Sequence, residues 1–549
     1  MTAKRGPVPL LPASGTFPGG PCVFSCSCRE SFRCDLAFPG LERDEGLVGF
    51  YESFAPVPFE PPREPRLSSR KGASMARLRL HTPQDAIQYL YGQINYERTS
   101  RVPYRSRQFR FARLQALLQR LGNPHHHLPV VHVAGTKGKG STCAMLDAVL
   151  RRSGLRVGRF TSPHLNHLGE RLVVDGKPCS PQQLLELVRQ VAPVAEELKR
   201  HPLPQQPGGP TFFELMTALG FLHFRQQGVE LAVMEVGLGG RLDSTNLCRP
   251  RLCLITSISF DHTALLGDTL AQIAAEKAGI IKPGVPVISG VQQPQAAEVI
   301  RRQARGCGSP LWELGRDFAF TCPGTRLARH SWHTPLEVRG LGPEWKSLHL
   351  RTALPLAGVH QAHNAALAVA AAWQLARQGW PISRQAIVRG LRQLRWPARV
   401  ELIARSPLVV LDAAHNAASV QALVETLRPV APPGRRWLLF GTSADKDIPG
   451  MVRLLAPEFH QVTVTRFGNN PRAADPAQLQ RIFARHGSQA QLESCAARAL
   501  QRLLPRLNPT DLLCVCGSLF LAAELRPLLL RWRTEQARRP RLCDPSRAL

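Results

Sequence analysis

The sequence predicts an α/β protein with two nucleotide-type domains facing each other across a cleft. Three observations carry this. From Leu128 onward, apolar runs alternate with helix-like segments, the pattern of a parallel sheet covered on both faces. A glycine-rich loop, GTKGKGS at 135–141, sits between the first of these strands and the first helix. A second alternating series starts near Pro407, beyond a stiff Trp396-Pro397 step. The chain's 549 residues also exceed what a single core holds.

Residues 1–74 carry PVPLLPASGTFPGGP and FAPVPFEPPREPRLSSR, with frequent Pro and Gly and no sustained period. They are expected to be disordered, with Met75 as the true start. Met75 opens a helical pattern capped by Thr82, with Pro83 next. LPVVHVAG (128–135) follows as a buried strand and STCAMLDAVLRRSG (141–154) as a helix. VELAVMEVG, RLCLITSIS and VPVISG are further buried strands, and the Ala-rich run 365–376 is a packed helix. The second series reads LVVLDAAHN, WLLFGTS, HQVTVTRF and DLLCVCGS, each followed by helix-like sequence. The expected organisation is a disordered extension over 1–74, a glycine-loop domain over 75–400, a smaller Rossmann-like domain over 401–535 and a basic tail over 536–549.

Composition narrows the function classes. Hydrophobic residues make up 44% and charged residues 20%, which excludes a wholly disordered chain. No apolar run reaches the roughly 18 residues of a membrane helix. The first residues lack the apolar core of a secretory signal, so the cytosol is the expected compartment and no membrane partner is expected. The net charge of +30 invites a nucleic-acid reading. Its basic residues are scattered along helices without interleaved aromatics, so they read as a solvated surface that draws in anionic substrates, and no nucleic-acid partner is expected. The fourteen cysteines lack regular spacing and read as reduced core residues. Cys22, Cys26, Cys28 and Cys34 lack paired CxxC geometry, and the His125-His126-His127 run reads as a loop before a strand.

Strand, glycine loop and helix N-terminus make an anion cradle, because bare amides and the helix dipole converge on phosphate oxygens. Gly138 and Gly140 permit close backbone approach, Lys139 supplies a cation for β- and γ-phosphates, and the Ser141 hydroxyl faces the same place. The usual GxxxxGK[ST] spacing is not met strictly: Val133 stands at the first glycine, and Gly140 separates Lys139 from Ser141. The expected ligand is ATP. Four further segments are expected at the C-terminal ends of strands, where α/β sites form: 161–165 (TSPHL), 235–243 (EVGLGGRLD), 259–262 (SFDH) and 276–279 (EKAG). A hydroxyl, a carboxylate and an imidazole suit magnesium tied to phosphates. Taken singly, Glu235 also reads as an arginine partner, His262 as a core histidine and Lys277 as a surface lysine.

Taken in order, GTKGKGS, TSPHL, TFFE, EVGLGGRLDSTN, DHT-x-LLGDT, EKAGIIK, PARVE, DAAHN, GTSADKD and CGSLFLA resemble the folylpolyglutamate synthases. That group includes the bacterial bifunctional dihydrofolate synthases and is related to the Mur ligases of cell-wall synthesis. The resemblance covers about residues 80–530. It implies a P-loop Mur-ligase-like central domain followed by a smaller Rossmann-like domain, with ATP between them. It implies ATP-dependent ligation of L-glutamate to a folate through an acyl phosphate, with magnesium, two ions by expectation; a monomer is expected.

By the same resemblance Thr136, Lys137, Gly138 and Lys139 hold phosphates, with Gly140 and Ser141 sharing the work. Ser162, Glu235 and His262 match magnesium positions, and Lys277 matches a lysine carbamylated in the family. Lys139, His262 and Lys277 are thus the expected catalytic set. Asn364, Arg399 and Asp412 match ATP contacts, with His415 in the same motif. Thr211, Phe212, Phe213 and Glu214, together with Leu242, Asp243 and Ser244, match dihydropteroate positions of the bifunctional enzymes. Phe212 or Phe213 would stack on a pterin and Glu214 would bond its donor edge, although the same residues also read as the start of a core helix. Lys137 departs from the asparagine of many relatives. Two alternatives stand beside this reading. One is a Mur-type amino-acid ligase acting on a cell-wall precursor, although only about sixty residues separate Met75 from Gly135, too few for a folded domain ahead of the loop. The other is a basic nucleic-acid-binding P-loop protein.

Overall fold

The computed structural model describes residues 80–97, 111–204, 206, 208–328, 331–468 and 470–538. The extension over 1–74, its cysteine cluster, Met75 and the tail beyond residue 538 lie outside the described residues.

The chain opens with α1 (Pro83–Tyr91), capped by Thr82 in a capping box with Asp85, and α2 (Ala112–Arg120). Then come β1 (Val130–Ala134), α3 (Lys139–Arg152), β2 (Val157–Phe160), β3 (Leu172–Val174), β4 (Lys177–Pro178), α4 (Pro181–Arg200), α5 (Phe212–Gln226), β5 (Leu231–Glu235) and β6 (Pro250–Ile255). The short α6 (Thr263–Leu266), α7 (Leu270–Ala278), β7 (Val287–Ser289), α8 (Pro294–Gly306) and β8 (Leu311–Glu313) complete the first sheet and its cover. That sheet has eight strands in the order β4-β3-β2-β5-β1-β6-β7-β8, parallel from β2 to β8. Its central strands are buried along their whole length, which is why they read as continuous apolar runs. One face packs against α1, α2, α4 and α5, and the other against α3, α9 (Val359–Arg377) and α10 (Arg384–Arg392).

Before α9 stand β9 (Phe318–Thr321), β10 (Arg326–Leu327), β11 (Trp332–Gly340) and β12 (His349–Leu354), a small antiparallel sheet centred on β11. The sequence reading did not foresee it. From Trp332 to Val338, β11 alternates buried and half-exposed residues with period two, the signature of a one-faced sheet within otherwise α/β sequence. The second large sheet has six strands in the order β13-β14-β18-β15-β16-β17, namely Glu401–Arg405, Leu408–Leu411, Leu512–Cys516, Arg436–Phe440, Gln461–Val464 and Ala490–Leu492. Only β13 runs antiparallel. Its helices are α11 (Ala417–Leu427), α12 (Ile448–Leu455), α13 (Pro476–Arg485), α14 (Ala496–Leu503) and α15 (Leu519–Arg538).

The cysteines within the described residues are free, and most are buried, as read from their spacing. No helix among these residues is long and apolar enough to cross a membrane. One placement is corrected. Residues 276–279 do not follow a strand: Glu276 and Lys277 lie in the last turn of α7, whose start is fixed by Thr269 and Gln272 in a capping box.

Candidate active site

β1 ends at Ala134 and the chain turns directly into α3, so residues 135–138 form the loop at the C-terminal edge of the first sheet. The helix begins two residues earlier than the sequence reading placed it. Gly138 is the N-cap, with φ of 85°, so Lys139 and Gly140 already belong to the first turn. The loop is pinned to the chain after β6. The Thr136 amide donates to Ser257 O (2.7 Å) and the Ser259 amide to Thr136 Oγ1 (3.1 Å). The Thr256 hydroxyl donates to Lys137 O at 2.6 Å. Thr136 therefore holds the loop's shape through its side chain.

Side chains close on the loop where glycine leaves room. A methyl group at Gly138 would lie 2.1 Å from Asn364 Oδ1, and one at Gly140 would lie 3.4 Å from Glu235 Oε2. Asn364, on α9, and Glu235, at the end of β5, are thereby brought to the first turn of α3. Glu235 is buried, and its second contact is the Ser162 amide, which donates to Oε2 at 3.1 Å. Burial pushes the Glu235 carboxyl up, while Lys139, that amide and Arg399 pull it down. Ser141 is buried in the helix, and the Lys139 ammonium sits 3.5 Å from Thr136 O.

Lys277 is buried although it is a lysine. Desolvation first, and Lys139 second, bring its pKa down to about 7. The bland reading of Lys277 as a surface lysine is excluded by this burial.

Residues of the second sheet reach the same loop. His415 donates from Nδ1 to Ala413 O at 2.8 Å, which leaves Nε2 unprotonated facing the Lys137 ammonium at 3.4 Å. Asp412 lies at the end of β14, where its carboxylate accepts from the Val400 amide (2.6 Å) and the Ala414 amide (2.7 Å). Asp412 thus shapes the turn that carries Arg399. Arg399 donates to Ala398 O at 2.9 Å, and its charge offsets the burial of both Asp412 and Glu235.

Asp261 is the residue the sequence reading passed over, although it precedes His262 in the same motif. Its carboxylate takes Lys137 at 2.8 Å, Asn416 at 3.2 Å and Lys446 at 3.7 Å. Burial opposes its charge, yet Lys137, His262 and Lys446 hold it well below the usual carboxylate range. His262 itself has a φ of 51° and leaves 44% of its side chain exposed, with Nε2 3.8 Å from Asp261 Oδ1.

The segments assigned to the organic substrate divide. Thr211 and Glu214 form the capping box of α5. Glu214 also accepts from Arg113 Nε and Nη2 at 3.0 and 2.8 Å, inside the core. Phe212 is buried, stacked on Tyr91 at 5.7 Å and crossed by the Arg171 guanidinium at 5.2 Å. Phe213 is the more open ring, set edge-on to Phe160 and against Gly237. Asp243 caps its own loop, accepting from the Leu238 and Thr245 amides and the Thr245 hydroxyl. Leu242 and Ser244 remain half-exposed beside it. A hollow of about 610 Å³ lined by Pro129, Arg251, Pro283 and Trp380 opens where the strands begin, and contains none of these residues.

Among the described residues no three His, Cys, Asp or Glu side chains gather as a metal cage. The Glu235 carboxylate at the first turn of α3 instead suits an ion that takes few protein ligands and shares phosphate oxygens.

Residues 133–372 match the Mur ligase middle domain, and residues 398–519 match the Mur ligase glutamate ligase domain. The chain is 35% identical over 419 residues to the folylpolyglutamate synthase of Lacticaseibacillus casei, spanning 76% of this chain and 94% of that one. Identity and coverage are the same for the dihydrofolate synthase/folylpolyglutamate synthase of Bacillus subtilis (strain 168). The solved Mycobacterium tuberculosis folylpolyglutamate synthase complexed with ADP superposes with a TM-score of 0.71 at 30% identity, over 81% of this chain and 98% of that one. A solved FPGS–AMPPCP–folate complex gives 0.68 at 32% identity, over 82% and 100%.

Proposed function

The chain belongs to the folylpolyglutamate synthase family of the Mur ligases, and from that premise we propose that it joins L-glutamate to folates at the expense of ATP and also adds the first glutamate to dihydropteroate. A carboxylate is a poor electrophile, so its oxygen first attacks the γ-phosphorus of ATP, giving an acyl phosphate and ADP. The amino nitrogen of glutamate then attacks the acyl carbon. The C–O bond to phosphate breaks, a proton leaves the nitrogen, and an amide and inorganic phosphate result. Such transfers need positioning and charge neutralisation more than a protein nucleophile.

The observation that carries the reading is the convergence on the first turn of α3. Free amides, Lys139, Glu235 and Asn364 meet there, with Arg399 charge-coupled to Glu235. In this reading Thr136, Lys137, Gly138, Lys139, Gly140 and Ser141 shape and charge the phosphate cradle, while Asn364, Arg399, Asp412 and His415 serve ATP from the other side. Ser162, Glu235 and His262 would hold magnesium, and Lys277 would join them as a carbamate. Magnesium, when bound, neutralises the phosphate oxygens as negative charge moves between them. Phe213, Leu242 and Ser244 are the side chains left open to a pterin, whereas Phe212, Thr211, Glu214 and Asp243 build the walls behind them. A monomer in the cytosol, built from domains 75–400 and 401–535, completes the proposal.

The test is glutamate incorporation by purified protein with ATP and magnesium, offering tetrahydrofolate and dihydropteroate in parallel, with Lys139→Ala as control. Incorporation on both acceptors that the control loses is expected. Incorporation on tetrahydrofolate alone would remove the dihydropteroate step, and incorporation on neither would overturn the proposal.

A further inference from the structure

Trp396 stands directly before the turn that presents Arg399, and its ring touches the phosphate loop's helix. A methyl group at Gly140 would lie 3.3 Å from Trp396 Cζ2. The Arg159 guanidinium sits 5.0 Å from the ring centroid, and Arg159 is itself fixed by a 2.9 Å bond to the fully buried Asp147 carboxylate. The indole N–H is buried without a hydrogen-bond partner. Shape and the cation above it therefore fix the ring, so the ring follows the first turn of α3.

The chain beyond the ring has little slack. Pro397 fixes its own φ. Ala398 and Val400 have φ of 53° and 47°, the left-handed region, which is costly for a β-branched residue. Such strain persists only where partners over-determine it, and here they do. The Ala398 amide donates to Glu401 Oε2 at 2.9 Å and the Val400 amide to Asp412 Oδ2 at 2.6 Å. Trp332 Nε1 donates to Val400 O at 2.6 Å, and Glu401 is clasped by Arg526. A turn held this way transmits a displacement of Trp396 to Arg399 instead of absorbing it.

We propose that Trp396 is a positioning residue that reads the state of the phosphate loop and sets Arg399 against the cleft. The proposal rests on residues 135–141 being the nucleotide phosphate loop. It also accounts for Gly140, since a larger residue there would push on the ring.

The experiment titrates ADP against wild type, Trp396→Phe and Trp396→Leu, following tryptophan fluorescence and Tm, with steady-state kinetics in ATP alongside. ADP is expected to raise the wild-type Tm and change its fluorescence, with Trp396→Phe losing most of that change. Trp396→Leu should raise KM for ATP and lower kcat, together about ten- to hundredfold in kcat/KM, with Trp396→Phe restored to within about threefold by its aromatic face. An undiminished fluorescence change in Trp396→Phe, or wild-type kinetics in folded Trp396→Leu, would overturn the proposal. Should Trp396→Leu not fold, the fluorescence of Trp396→Phe decides. No effect of ADP on wild-type Tm or fluorescence would instead overturn the phosphate-loop reading, and the relay with it.

Discussion

A buried amine needs a reason, because lysine is almost never fully buried without a partner. Lys277 sits in the last turn of α7 with its pKa brought down to about 7, by desolvation first and by the neighbouring Lys139 next. Near neutral pH a large fraction of it is therefore the free amine. A free amine attacks carbon dioxide, forming a C–N bond and releasing a proton, and the carbamate anion so made fits a surrounding that includes Lys139 and Lys137. The sign follows directly. Lowering the pH through 7 protonates the amine and reverses the reaction, so ligase activity should climb through about pH 7, not through the range of an ordinary lysine near 10. Removing bicarbonate should lower the rate at fixed pH. Lys277→Ala should be nearly inactive and partly restored by short carboxylic acids. A rate profile flat from pH 6 to 8, or a fully active Lys277→Ala, would show an ordinary lysine. The residue was legible in the sequence through its motif, but its burial was not, since EKAG reads equally well as an exposed helix end.

At the scale of elements, the start of α5 shows how a substrate motif and a structural motif share residues. Thr211 and Glu214 close a capping box, and Glu214 also pairs with Arg113, with side-chain exposures of 9% and 4%. Removing one partner of a buried pair leaves a buried charge unpaired, which costs about 3–5 kcal/mol. Glu214→Gln should therefore lower the urea midpoint of unfolding by that amount divided by the m-value, whatever substrate is present. A variant of unchanged stability with a raised KM for the pterin substrate would instead make Glu214 a binding residue in its own right. The parallel strands were legible because burial on both faces makes their sequence continuously apolar, as in Val130–Ala134 and Leu512–Cys516. The antiparallel β9–β12 sheet was not, because β11 is no continuous apolar run: His333, Pro335, Glu337 and Arg339 alternate with its buried residues. Arg113 could not be assigned either: its partner lies 101 residues away.

At the scale of the molecule, the loops of the two large sheets meet through charge. Lys137 of the phosphate loop faces His415, while Asp261 beside it takes Asn416 and Lys446 from the second sheet's loops. Arg472, in the loop after β16, also donates to Glu97 O at 2.9 Å. These contacts join residues up to 375 positions apart, so motif reading placed the residues without revealing that Asp261 is where they converge. Asp261 is the carboxylate that balances two ammonium groups and a carboxamide at this junction. Removing its charge leaves Lys137 and Lys446 repelling one another in a partly buried site, where the repulsion is weakly screened. Asp261→Asn should therefore lower the Tm of the ligand-free protein. A phosphate chain bound at 135–141 supplies the missing negative charge, so ADP should raise the Tm of Asp261→Asn by more degrees than it raises that of wild type. Thermal unfolding of both proteins across a range of ADP concentrations measures the difference. Equal increments would mean that Asp261 and the phosphates act on separate cations, and that the junction between the sheets is indifferent to what the phosphate loop holds.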